Sequence, residues 1–265
     1  WASAIGSRAT RQTTSQRAAR ISSEKLKTKI KSAVNARELL TLHEQHGSMF
    51  DSIHLSIFWD SLGKMAGRER ALLWRDAEAA GALHERLLLI LLRCDAQALA
   101  DVAHGMANAG VPRHSRWDSL WASVASRSTE QVCELDLQSI VKIARAFAEA
   151  QQPSPKLFAA LASQVAARAH ELNPNDLSTV AWSFASLRQM APTLFASLAD
   201  TAAKRIYEFE PHHLVTLAWA LEAVEQPAPN LFAMLLCRGA SRLRELKKYE
   251  YLQDGQFVLP WRRIP

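Results

Sequence analysis

The chain has 265 residues, 48% of them hydrophobic, with a formal charge of +6. That length can bury a sizeable core in one large or two small domains, and only 9 Gly and 10 Pro in an Ala- and Leu-rich composition favour helix nearly throughout. Apolar runs such as Leu87–Leu92 are far short of the roughly 20 residues of a membrane-spanning helix.

The charge is unevenly placed. Residues 1–50 hold 9 Lys/Arg against 3 Asp/Glu, residues 238–265 hold 7 against 3, and the body between them holds 16 against 20. Both ends are therefore basic and the body is mildly acidic. Cys94, Cys133 and Cys237 are far apart and odd in number, which argues against a disulfide framework and for three small buried hydrophobes in a reducing interior.

Residues 1–36 read as a basic N-terminal extension. The chain begins at Trp1, as a processed or trimmed product would, and residues 1–23 combine Arg8, Arg11, Arg17 and Arg20 with many Ser and Thr and no acid. That is the chemistry of a transit peptide or of the end left after its removal. With Lys25, Lys27, Lys29 and Lys31 behind it, the segment suits a polyanion such as ribosomal RNA; a tail docked on a protein neighbour, or an ordinary helix leading into Lys25–Lys31, is the alternative.

Residues 37–94 read as degenerate helical repeats and a cap. Leu55, Phe58, Trp59 and Leu62 give one helical stripe, with Leu73 opening its partner helix. The pattern sharpens over 95–246. Ile140-Val-Lys-Ile-Ala-Arg-Ala-Phe147, Leu177-Ser-Thr-Val-Ala-Trp-Ser-Phe184 and Leu214-Val-Thr-Leu-Ala-Trp-Ala-Leu221 superimpose without gaps at a period of 37. Eleven residues after each comes a Phe preceded by Leu (Phe158, Phe195, Phe232), opening a second helix. Pro153, Pro155, Pro192, Pro227 and Pro229 mark the turns within repeats. Asp136, Asn173 and Glu210 stand where N-caps are needed. An earlier copy, shifted by 41, runs through Leu99, Val102, Ala103 and Met106, then Trp117, Leu120 and Val124, with its four extra residues between Arg127 and Leu135. The fold class is all-α: an α-solenoid of stacked helix-turn-helix repeats with extended basic termini, each pair burying its stripe against the next. Trp182 and Trp219 share a repeat position and read as core.

Leu214-Val-Thr-Leu-Ala-Trp-Ala-Leu221, with a Pro-x-Leu-Phe lead into its partner helix, resembles the octotricopeptide repeat of organelle proteins. The 37-residue period resembles the related heptatricopeptide repeat still more closely. The resemblance implies an organelle-targeted protein that handles RNA, in transcript maturation, stability or translation or within the organellar ribosome, in a mitochondrion with a plastid as the alternative. Relatives often end in a nuclease-like RAP domain, for which the residues after the last repeat leave no room.

Residues 247–265 read as an extended tail with Lys247, Lys248, Arg262 and Arg263 beside Tyr249, Tyr251, Phe257 and Trp261. A solenoid repeats one position as a ladder, and Arg127, Arg168, Arg205 and Arg242 form one that could track a row of phosphates or pair with neighbouring acids. His43-Glu-Gln-His46 lacks the HExxH spacing and a third ligand, so both histidines read as solvated; His212-His213 reads as a helix start. With no phosphate loop, GxSxG or supported Cys/His pair, no catalytic residue, metal, cofactor or small-molecule substrate is assigned. The expectation is a non-catalytic, RNA-associated structural protein of a mitochondrial ribosome, basic ends on RNA and solenoid on neighbouring proteins. A protein-binding scaffold of another organellar complex is the alternative.

Overall fold

The computed structural model describes residues 23–231 apart from 76, 113, 114 and 230. Among them are twelve α-helices and no strand: α1 (23–32), α2 (Ala36–His46), α3 (Ser52–Lys64), α4 (Gly67–Arg75), α5 (Ala77–Leu91), α6 (Ala96–Ala109), α7 (Ser115–Glu130), α8 (Leu137–Glu149), α9 (Pro155–Arg168), α10 (Pro174–Ser186), α11 (Pro192–Lys204) and α12 (Pro211–Ala223). No helix among these residues is long and apolar enough to cross a membrane. The fold is all-α and solenoid-like, built of neighbouring helices packed in series, and the chain divides into two compact units, Trp1–Val165 and Ala166–Pro265.

The repeat signals do what their chemistry requires. Asp95, Asp136 and Asn173 cap α6, α8 and α10, each carboxylate or amide oxygen accepting from the backbone N–H three residues on. Pro174, Pro192 and Pro211 occupy first helical turns, where no donor is lost. The first helices α6, α8, α10 and α12 then end alike. Gly110, Gln151, Arg188 and Glu225 adopt left-handed φ of 65°, 53°, 52° and 54°. The amide of the next residue reaches back to Met106, Phe147, Phe184 or Leu221. This is a Schellman closure repeated four times, yet glycine, which adopts it without strain, is used only once.

In the first unit, α3, α6 and α8 lie side by side as first helices and α5 packs beside α7 as second helices. Leu99, Val102 and Met106 on α6 and Ile140, Ile143 and Phe147 on α8 are all essentially inaccessible, as are Leu120 and Val124 of α7. Burying each such side chain stabilises the fold by about 1.5–3 kcal/mol. The α3–α6 seam is unusually close: a Cβ on Gly105 would lie 2.4 Å from that of Trp59, and one on Gly63 would lie 2.8 Å from that of Asn108. In the second unit α10 and α12 pair in the same way, around Leu177, Val180, Phe184, Leu217 and Leu221, with Leu194, Phe195 and Leu198 from α11 in the core.

Several expectations are corrected. Leu73 sits in the short helix α4 rather than opening the partner of α3, and α5 takes the place beside α7. The four extra residues after Arg127 do not lengthen a loop: they add about one turn to α7, and the 3-10 turns Val132–Glu134, Ala169–Glu171 and Ile206–Glu208 that join successive repeats have equal lengths. Cys94 is buried, and burial, helped by the charge of Asp95, pushes its thiol up to about 11. Cys133 is exposed, against expectation, and Cys237 lies outside the described residues. Trp182 and Trp219 are only half-buried, because both lie on the side of α10 and α12 turned away from the core stripe.

Candidate nucleic-acid interface

The lysines of α1 sit on a helix with a defined seat. Leu26 and Ile30, four residues apart, are 4% and 0% exposed, so one stripe of the helix is inside. Lys25 and Lys29 are consequently exposed, Lys31 with them, and these three have no ion-pair partner among the described residues. Lys27 is half-buried and pairs with Glu24 at 2.9 Å.

A buried histidine joins α1 to α3. His54, 1% exposed, lies 2.6 Å through Nδ1 from Asp51 Oδ1 and 3.2 Å through Nε2 from both the hydroxyl and the carbonyl oxygen of Ser23. Its ring stacks on Phe50 at 5.7 Å. Asp51 and His54 also form the capping box of α3. Burial works to raise the pKa of Asp51, but the His54 backbone N–H and ring outweigh it and hold the carboxyl below its usual value. Val34 N–H donates to Glu38 and Asn35 caps α2, which brings exposed Arg37 into the next helix.

The repeat arginines are engaged differently. Arg127 pairs with Glu130 at 2.6 Å, Arg168 with Glu171 at 2.9 Å and Arg205 with Glu208 at 2.6 Å, always three residues on. The hydrogen bonds from Arg168 and Arg205 hold Glu171 and Glu208 below the ordinary glutamate value. Arg205 also donates to the carbonyls of His170 and Leu172 in the preceding inter-repeat turn, at 3.0 and 2.7 Å. In the first unit the corresponding donor is Gln131, which reaches the Cys94 carbonyl at 3.3 Å. It stands one turn beyond Arg127, where the extra turn of α7 has carried the junction.

The first-helix face of the first unit is also internally paired. Lys142 bridges to Asp101 at 2.9 Å and Arg145 to Glu149 at 2.7 Å. Among the described residues no cluster of His, Cys, Asp and Glu is suited to a metal ion. His43 is buried against Phe50 and Phe58 rather than solvated, and His46 is half-buried. His213 completes a capping box with Glu210, as a helix start requires. Arg8, Arg11, Arg17, Arg20, Arg242, Lys247, Lys248, Arg262 and Arg263 lie outside the described residues.

Sequence reading missed the Ser23–His54–Asp51 tie and Arg37. The Asp51-x-x-His54 and Asn35-x-x-Glu38 spacings carried a cap signal for both segments, but nothing local announces Ser23, 31 residues away from its partner.

Among curated proteins none matches the chain. A family model described as RNA-editing substrate-binding complex 6 protein matches residues 83–248, more than half of the chain and most of the repeat region. An organellar, RNA-associated helical protein is thus what sequence and family hold in common. On that match, the chain belongs to the family of RNA-editing substrate-binding complex 6 proteins.

Proposed function

We propose that this chain is a non-catalytic scaffold subunit of a mitochondrial RNA-editing assembly, gripping RNA at its basic N-terminal end and packing on neighbouring proteins through its helical repeats. The observation that carries the reading is a contrast in cation use: Lys25, Lys29 and Lys31 stand exposed on a seated helix without counter-ions among the described residues, whereas Arg127, Arg168 and Arg205, the described members of the repeat ladder, each have a glutamate partner. Free cations on a fixed helix neutralise phosphates without first breaking an ion pair. The family's description supports an editing assembly in place of the ribosome, and with it the mitochondrion in place of the plastid. The units themselves are of the heptatricopeptide-like kind, helix pairs at a 37-residue period.

The test is fluorescence anisotropy with single-stranded RNA between 50 and 200 mM salt. Each phosphate contact contributes about 0.7 to the slope of log affinity against log salt. The Lys25→Gln/Lys29→Gln/Lys31→Gln variant should bind more weakly, with a slope shallower by about 2. Unchanged affinity and slope would overturn the assignment of α1. No RNA binding by the wild-type chain would leave a protein scaffold without RNA contact.

A further inference from the structure

We propose that α5 is the contact through which two copies of this chain pair, antiparallel about a two-fold axis at Leu89. α5 is a second helix, packed beside α7, and its stripe of Leu83, Leu87, Ile90 and Leu91 is inside. On the opposite side Leu89 is 61% exposed, and Leu92, in the turn that closes the helix, is 68% exposed. The outer positions of the other second helices differ. Exposed there are Ala122 and Ser126 on α7, Ala159 and Ser163 on α9, and Ala196 and Asp200 on α11. Single exposed leucines are ordinary on a protein surface. Two side by side, in a layer that otherwise shows water small, polar or charged residues, form a patch that gains by being covered.

Charge decides what covers it. Glu85 and Arg93 flank Leu89 four residues before and four after, so Glu85, Leu89, Leu92 and Arg93 fall at i, i+4, i+7 and i+8 along one side. Both charged residues are exposed, and neither has an ion-pair partner among the described residues. An antiparallel copy turned about Leu89 lays its Arg93 opposite Glu85 and its Glu85 opposite Arg93, with the leucines of both copies between them. The surface therefore complements itself, as a two-fold contact requires. A parallel copy would set Glu85 against Glu85 and Arg93 against Arg93. One helix per copy belongs to the small, transient class of contact, below about 1,200 Å², so the pair should come apart on dilution. This pairing goes beyond the RNA-binding reading and does not depend on it.

The experiment is sedimentation velocity of the full chain, without RNA, from about 1 to 200 μM. The wild type should pass from monomer to dimer across that range. Leu89→Ser/Leu92→Ser should stay monomeric at the highest concentration, with an unchanged helical circular-dichroism spectrum. Glu85→Arg and Arg93→Glu alone should each weaken the dimer about 10-fold or more, because like charges then meet twice across the axis. An equimolar mixture of those two variants should dimerise as the wild type does, since opposite charges face each other again. The double variant Glu85→Arg/Arg93→Glu should do the same. A wild type that stays monomeric throughout overturns the proposal. So does a dimer that survives in the folded leucine variant, and so do single reversals that the mixture fails to repair.

Discussion

The lysines of α1 and the arginines of the repeats look equivalent in a charge count and behave as opposites in the structure. On α1 the cations alternate with Leu26 and Ile30, so the residues that seat the helix are apolar and the charges remain outside it. In the inter-repeat turns the cation itself does the seating. Arg205 holds two carbonyls of the preceding turn and is held in place by Glu208. Whether a basic residue is available to a polyanion is decided by what its neighbours already ask of it. A carboxylate three residues downstream is the sign that it is spoken for.

Reversing rather than neutralising the α1 charges should have the largest effect. Lys25→Glu/Lys29→Glu/Lys31→Glu is expected to lower RNA affinity by about 100-fold or more at low salt, with the thermal midpoint within a few degrees of wild type. If the midpoint collapses instead, those lysines have a structural part and the comparison fails. Next comes the converse. Arg205→Ala should cost about 1–3 kcal/mol in a denaturant titration, because charged donors to two turn carbonyls are lost, and should leave RNA affinity unchanged. Gln131→Ala in the first unit, where one neutral donor serves one carbonyl, should cost about 1 kcal/mol.

Acid should weaken the fold in two windows, the first confined to the repeats and the second shared by both regions. Burial, with the charge of Arg145, holds His104 below its usual pKa, and burial with His212 does the same to His213. The unfolded chain therefore takes up these protons first, and the stability they contribute is complete above about pH 6.5 and lost as pH falls below it. Asp51, Glu171 and Glu208 have depressed values, so their contribution is present above about pH 4 and lost as pH falls further. Denaturant midpoints should decline in two steps, and His104→Gln should shrink the first. The smallest change expected is a gain: Gln151→Gly relieves a left-handed side chain and should add about 0.5–1 kcal/mol, checked by the same titration.

Much of the fold was legible because its determinants are local and repeated. The stripe through Ile140, Leu177 and Leu214, the prolines at helix starts and the cap at Asn173 each need only a few neighbouring residues to be understood. What escaped depends on contacts far along the chain or on the absence of the expected residue. The left-handed closures at Gln151, Arg188 and Glu225 were hidden because none is glycine. Four inserted residues suggested a longer loop, yet four residues are also about one helical turn, and that is how α7 absorbs them. Trp182 and Trp219 were read as core since large aromatics usually are, but their position in the helix turns them from the stripe. The α1 lysines were legible as charge and the His54 tie was not, since Ser23 and His54 meet only in the folded chain.

The α3–α6 seam has a consequence of another kind. Where Gly105 rests against Trp59 and Gly63 against Asn108, the two backbones leave no room for even a methyl group. A contact such as that of Trp121 with Phe147 is made by side chains, which can trade bulk with one another as sequences drift. This seam cannot, because nothing on either side can be made smaller in exchange at the glycines themselves. The seam is therefore the least negotiable joint of the unit: a fixed point about which the remaining repeats are free to vary.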